Sequence, residues 1–166
     1  MLDVKSVKDV LLDFPSARSY IEKVAPLPFD HSQLHFGKEL DAWLRKEVYN
    51  YQTYRIFLND FPLTKKYTRT LPVTKMKGMD KDELTGYEKI DIQDRQGKVI
   101  ARCWLGIRKN NIGQVLNSSH FDSLRVRAGN ILVGDENLLD SCFRQSRFNG
   151  YLVGEIHITT PEYRLP

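Results

Sequence analysis

The sequence predicts an α+β fold in a single domain over residues 1–166, with a mainly antiparallel sheet and helices on one side. Two segments in the first third have the apolar spacing of amphipathic helices. Segments with the two-residue period of strands follow from residue 53 onward. Helices and strands that are segregated along a chain favour this fold class. The hydrophobic fraction of 41% is sufficient for a core.

The first predicted helix begins with Ser16 as N-cap and continues through Ala17, Tyr20, Ile21 and Val24. Pro26 and Pro28 end it, because proline lacks an N–H group and disfavours helical geometry in the preceding residue. The second helix covers residues 38–49. Its apolar face consists of Leu40, Trp43, Leu44 and Val48.

Strands are predicted from the change of period after the second helix. Residues 53–58 and 63–67 form short strands around a turn at Asn59–Asp60. The polar stretch 75–81 is interpreted as a mobile loop. Residues 87–93 and 98–106 form a hairpin around Asp94–Gly97, in which Gly97 can adopt a positive φ.

The last third predicts a strand, a helix and a second strand. Residues 124–133 alternate apolar side chains with Arg125 and Arg127, which is typical of a half-buried strand. Asp135 is a candidate N-cap for a helix over 136–145, and residues 150–159 return as a strand. A crossover through this helix would place the two strands parallel. The polar stretch 108–122 before them is a candidate functional loop.

The composition of the chain indicates which kinds of partner it binds and in which cellular compartment it is found. Lys and Arg number 25 against 21 acidic residues, so the net charge is +4 and the pI is near 9.0. Without a dense basic block, this surplus favours a solvated surface over nucleic-acid binding. Cys103 and Cys142 are interpreted as buried free thiols. The sequence has no apolar run of bilayer-spanning length and predicts a cytoplasmic protein without membrane contacts.

No catalytic motif for phosphate loops, nucleophile elbows or zinc proteases occurs in the sequence. His31 and His35 have helical spacing but lie in a proline-flanked loop without cysteine, so no metal site is predicted. Glu155 and His157 could act as an acid–base pair in a small hydrolase, but a hydrogen-bonded pair on the outer sheet face is the preferred interpretation. Neither a catalytic residue nor a metal ligand is therefore predicted.

Arginines provide the candidate binding residues. Arg125 and Arg127 share a strand face, and Arg144 and Arg147 lie at the end of the predicted helix. Cations at a helix C-terminus are favourable on structural grounds alone. Their guanidinium groups, together with Lys109, could also hold a phosphate or an acidic partner.

The segments RVRAGNILVGD (125–135) and FRQSRFNGYLVGEIHI (143–158) resemble the transducer or middle domain of GHKL ATPases, the class of gyrase, heat-shock chaperones, histidine kinases and mismatch-repair ATPases. The resemblance extends toward the N-terminus through three further segments, YIEKVAPLPFD, FGKELDAWL and WLGIRKNN. It implies a ribosomal-protein-like second domain, separated from a longer chaperone-like parent ATPase. The ATP site of the family lies in the preceding domain and is not carried over.

The resemblance implies a relay for ATP-dependent closure and no enzyme activity in this chain by itself. It implies ATP and Mg²⁺ as cofactors of the parent, an N-terminal ATP-binding domain as partner, and a parent that could form homodimers. The family's second domain also supplies a basic residue to the terminal phosphate, for which Arg164 is the candidate.

The alternative function is a stand-alone basic module that binds nucleic acid or an acidic protein, with an affinity that depends steeply on salt concentration.

Overall fold

The computed structural model describes residues 14–116 and 122–159. Its two α-helices are α1 (Phe14–Val24) and α2 (Gly37–Glu47), which confirms both predicted helices. α1 begins two residues before Ser16, so Ser16 is not its N-cap, and it ends ahead of Pro26. Leu40 and Leu44 are fully buried and form the core face of α2. No helix within the described ranges is long and apolar enough to cross a membrane.

Eight strands form two sheets among the described residues. β1 (Phe57–Leu58) and β2 (Phe61–Pro62) make a small hairpin. The large sheet has the order β3-β4-β5-β8-β6-β7. Its strands are β3 (Thr70–Met76), β4 (Met79–Gln93), β5 (Val99–Arg108), β6 (Ser123–Ala128), β7 (Ile131–Val133) and β8 (Val153–Ile158). Only β6 and β8 pair in parallel, so the α+β fold with a mainly antiparallel sheet is confirmed.

Turn residues account for most strand boundaries. Asn59 and Asp60 have φ values of 47° and 65°, and Gly97 has a φ of 80°, as the predicted turns require. The predicted mobile loop over 75–81 is wrong. Lys77 and Gly78, both with positive φ, instead form a tight turn that joins β3 to β4. A polar, glycine-containing stretch is compatible with either structure, and the pairing of the flanking strands selects the hairpin.

The predicted helix over 136–145 is also wrong. This part of the chain contains short 3-10 turns at Asp140–Cys142 and Ser146–Tyr151. Leu138 is 45% exposed, so the apolar pattern has no core to cover and does not stabilise a helix. The predicted strand over 124–133 is interrupted at Gly129 and Asn130, where β6 turns back into β7. The predicted parallel pairing with the last strand is confirmed.

The large sheet has two different faces. The covered face carries Trp104, Arg125, Arg127, Glu155 and His157, all buried. Both helices lie on this face, where Leu40 and Leu44 belong to the same core cluster as Trp104 and Val153. The predicted period of β6 is confirmed, but the buried side of the strand is the one with the arginines. The predicted location of Glu155 and His157 on the outer sheet face is wrong.

The opposite face, which we call the open face, is mainly aliphatic. Paired strands place their alternate side chains on the same side of a sheet, so the register defines this surface. Ile90, Ile107 and Ile131 are 39%, 42% and 55% exposed on it. Its other members are the exposed Glu88, the buried Ala101 and Cys103, and the half-buried Ile92, Leu105, Leu124, Val126, Ala128, Val133, Ile156 and Ile158. Cys103 is buried as predicted, whereas Cys142 is exposed, which corrects that prediction.

Candidate functional site

A buried ion network occupies the centre of the covered face, around the carboxylate of Glu155 on β8. The sheet register sets Glu155 beside Arg125 on β6 and Trp104 on β5. Lys65 reaches it from the opposite side, on a segment in which Leu63, Lys65 and Tyr67 alternate inward. A backbone bond from Lys65 N to the Pro28 carbonyl, 2.9 Å long, holds that segment in place.

Five donors surround the Glu155 carboxylate. Lys65 Nζ lies 2.7 Å from Oε2, and His157 Nε2 lies 3.0 Å from the same oxygen. The Trp104 indole and the Tyr67 hydroxyl donate over 3.3 Å to Oε2 and Oε1, respectively. Arg127 Nε also donates to Oε1. A buried carboxylate that is paired and hydrogen-bonded in this way is compatible with a stable core.

Burial and charge oppose each other within this network. Burial alone would raise the pKa of Glu155, but the charges of Arg127 and Lys65 hold it well below its usual range. Burial lowers the pKa of Lys65 to about 7 despite the attraction of Glu155. Burial likewise lowers the pKa of His157 to about 4 and outweighs its bond to Glu155. The network therefore holds an ionised carboxylate and a neutral imidazole at neutral pH.

The network joins the helical layer to the sheet. Arg127 donates to the carbonyl of Lys23 at the end of α1 and to the carbonyl of Asn130. The side-chain amide of Asn130 donates to the carbonyls of Leu27 and Gln52, which belong to the layer over the sheet. One arginine and one asparagine thus connect α1, the covering segments and two strands.

Arg125 belongs to a second network beside the first. Its guanidinium group donates to Asp122 Oδ1 and to Glu136 Oε2, each over 3.1 Å. Lys23 of α1 also binds Glu136. The hydrogen bond from Lys23 is the largest cause of the lowered pKa of Glu136, which is about 2. Glu136 therefore bridges β6 to α1 through two cations.

The predicted arginine cluster is divided by the fold. Arg125 and Arg127 are buried and paired with carboxylates. Lys109, Arg144 and Arg147 are exposed, and the Arg147 guanidinium lies 5.5 Å from the Phe148 ring centre. Arg164 lies outside the described residues. Phosphate or partner binding by these six residues stays a prediction.

Several residues of the networks were not identified from the sequence. Lys65 and Tyr67 lie in a stretch interpreted only as a returning strand, and Asp41 lies in the second helix among solvated charges. Tyr51 donates to Asp41 over 2.7 Å and lies edge-on to His157. The inward alternation of Leu63, Lys65 and Tyr67 is the one signal that could have indicated a buried lysine.

The described residues contain no group of three His, Cys, Asp or Glu side chains that could hold a metal ion. The Glu155 carboxylate, which is the most buried one, already has five donors and does not fit Mg²⁺. Comparison of the chain with protein-family models, with curated proteins and with solved structures finds no match.

Proposed function

We propose that this chain is the transducer domain of a chaperone-like GHKL ATPase. It would relay ATP-dependent closure of a separate N-terminal ATP-binding domain and would not hydrolyse ATP by itself. ATP and Mg²⁺ would be bound by that neighbouring domain, in a cytoplasmic parent that could form homodimers. The sequence resemblance at 125–135 and 143–158 is the starting point of this proposal.

The single observation that carries the proposal furthest is the open face. Large contiguous apolar surfaces are uncommon on monomeric proteins and are typical of interfaces. A domain that packs on a neighbour within the same parent needs such a surface, and the apolar open face of five paired strands suits that role. The exposed Ile90 and Ile107 lie on neighbouring strands of it.

The buried networks supply the second requirement of a relay, which is rigidity between its two sides. Arg127 ties α1 to the sheet through a hydrogen bond to the Lys23 carbonyl, and Glu136 does so through its ion pairs with Lys23 and Arg125. Movement of the sheet against the helices would break these contacts and leave the Lys23 carbonyl and the Lys23 ammonium without their partners, at a cost of about 1–3 kcal/mol. A displacement applied to the open face would therefore move the helices with the sheet.

The test is ATP hydrolysis by the ATP-binding domain of the parent, measured alone and fused to this chain. We expect this chain alone to be inactive and the fusion to exceed the separate domain by about tenfold or more. Ile90→Lys combined with Ile107→Lys should remove most of that stimulation. The control, Phe57→Lys combined with Phe61→Lys, adds the same charge on the small hairpin and should retain it.

Two results would contradict the proposal. One is a parent reading frame without any ATP-binding domain. The other is a fusion whose rate of ATP hydrolysis equals that of the separate ATP-binding domain, although circular dichroism shows that both proteins are folded.

A further inference from the structure

An open cleft of about 500 Å³ lies between α2 and the segment that precedes β1, and Asp41 on its wall is joined through Tyr51 to the edge of the buried network around Glu155. Lys38 and Arg45 face it from one side of α2, because positions seven residues apart share a helix face. His31 enters from the preceding loop, and Arg55 from the opposite wall. Four nitrogen-bearing side chains from three segments thus converge on one cleft.

The positive charge of this cleft is not neutralised within the described part of the chain. Asp41 is the only carboxylate among the lining residues. No carboxylate of residues 14–116 or 122–159 forms an ion pair with Lys38, Arg45 or Arg55. Arg45 donates to the neutral hydroxyl of Thr53. The buried and half-buried cations Lys23, Lys65, Arg102, Arg108, Arg125 and Arg127 each have a carboxylate partner, so what distinguishes the exposed cations of the cleft is their convergence on one concave site.

The Asp41 carboxylate is already occupied. Its Oδ1 accepts from the Tyr51 hydroxyl over 2.7 Å, and its Oδ2 lies 3.1 Å from His31 Nε2. Asp41 is buried, whereas the His31 side chain is 49% exposed. A buried carboxylate fixed by a tyrosine therefore orients an exposed imidazole, whose Nδ1 can donate to an anion when the ring carries both protons.

The position of Lys38 is also unusual for a cation. It is the second residue of α2, near the positive end of the helix dipole, where a cation is unfavourable. A bound anion would offset both this repulsion and the neighbouring charges of Arg45 and Arg55. Guanidinium groups bind the oxygens of phosphate through paired N–H donors, and a lysine contributes a point charge.

We propose that this cleft binds a phosphate group, carried either by a nucleotide or by the backbone of a nucleic acid. The ring of Tyr54, 53% exposed on the rim, provides a surface on which a base can stack next to the bound phosphate. The proposal goes beyond the relay function and does not depend on it, because none of the cleft residues belongs to the open face or contacts Glu155.

The experiment compares binding of pyrophosphate, ADP and a short oligothymidylate to the intact chain by calorimetry. Lys38→Gln combined with Arg55→Gln should weaken each detectable binding reaction by about tenfold or more. Lys77→Gln combined with Arg95→Gln removes the same charge from two hairpin turns outside the cleft, and we expect less than about a twofold effect. Saturation by ADP at lower concentration than by oligothymidylate identifies a nucleotide ligand, and the reverse order identifies a nucleic acid.

A second readout uses the imidazole NMR signals of the unmodified chain. His31 signals should shift on addition of pyrophosphate, whereas those of His35, outside the cleft, and of the buried His157 should not. Equal weakening by the two double variants would show nonspecific charge attraction and overturn the proposal. Saturation without any shift of the His31 signals, or no binding of any of the three probes, would also overturn it.

Discussion

At the scale of single residues, Glu155 shows how a charge can be part of a hydrophobic core. Its side chain has no exposed surface, and its two oxygens accept from five donors on three strands and one covering segment. Opposing charges keep the carboxylate ionised, although burial alone would favour protonation. A fully enclosed carboxylate of this kind organises the side chains around it.

The imidazole of His157 gives the first prediction, which concerns pH and stability. Its pKa is about 4 in the folded chain, below its ordinary value of 6.5, because burial beside Lys65 and Arg127 disfavours the charged form. Between these two values the unfolded chain binds more protons than the folded chain. The free energy of unfolding should therefore rise with pH, by about 2 kcal/mol from pH 4.5 to 6.5. Urea denaturation at several pH values measures this rise.

The His157→Gln variant is the control, because glutamine can donate to Glu155 but does not titrate. Its free energy of unfolding should increase less over the same pH interval, and the difference between the two proteins isolates the contribution of His157. Equal slopes for both proteins would show that the imidazole titrates alike in the folded and unfolded chains. Glu136 and Glu155, whose pKa values are lowered, lose their contributions only as the pH falls below about 4.5.

At the scale of elements, the sequence predicts both α-helices and the turns at Asn59–Asp60 and Asp94–Gly97, but not which side of β6 is buried. The alternation in β6 is evident from residues 124–128, but a two-residue period does not say which set of side chains faces the core. That choice depends on Glu155 and Glu136, which neutralise the two arginines and are distant in sequence. The same reasoning explains Lys65, whose burial depends on a carboxylate ninety residues away.

The segment between β7 and β8 could not be predicted from local spacing either. Its apolar residues have helical periodicity, but a helix is stable only if that face is buried, and Leu138 is exposed. Side-chain bonds define this segment instead. Asn149 donates to the Glu136 carbonyl and to Asp140 Oδ1 and accepts from Leu124 N. Of the candidate site, sequence reasoning singled out Arg125, Arg127, Glu155 and His157 but did not pair the arginines with their carboxylates.

Asn149 gives the second prediction. It is almost completely buried, so its replacement by alanine leaves the Glu136 carbonyl and the Leu124 N–H without this partner. We expect Asn149→Ala to lower the free energy of unfolding by about 2–4 kcal/mol. Asn137→Ala, at an exposed position in the same segment, should change it by less than about 0.5 kcal/mol. Urea denaturation of both variants measures this, and equal effects would contradict the assigned role of Asn149.

At the scale of the whole molecule, the sheet separates two chemical environments. The covered face holds charged groups that are matched one to another beneath the helices. The open face holds almost exclusively aliphatic side chains, with Ile107 and Ile131 among the most exposed. Hydrophobicity is normally concentrated in the core. Its presence on the open face, with the ion networks on the covered face, is the main chemical difference between the two sides of this sheet.

The open face gives the last prediction. An apolar surface of this extent should bind the dye 1-anilinonaphthalene-8-sulfonate in the native state, without unfolding. Ile90→Lys combined with Ile107→Lys interrupts the surface on two paired strands and should lower the dye fluorescence by about half or more. The urea midpoint should stay nearly unchanged, because both side chains are already exposed. Phe57→Lys combined with Phe61→Lys removes more exposed aromatic surface, but on the separate small hairpin. If this control lowered the dye signal as much, general exposure of apolar side chains would explain the binding, and the open face would have no special affinity for an apolar partner.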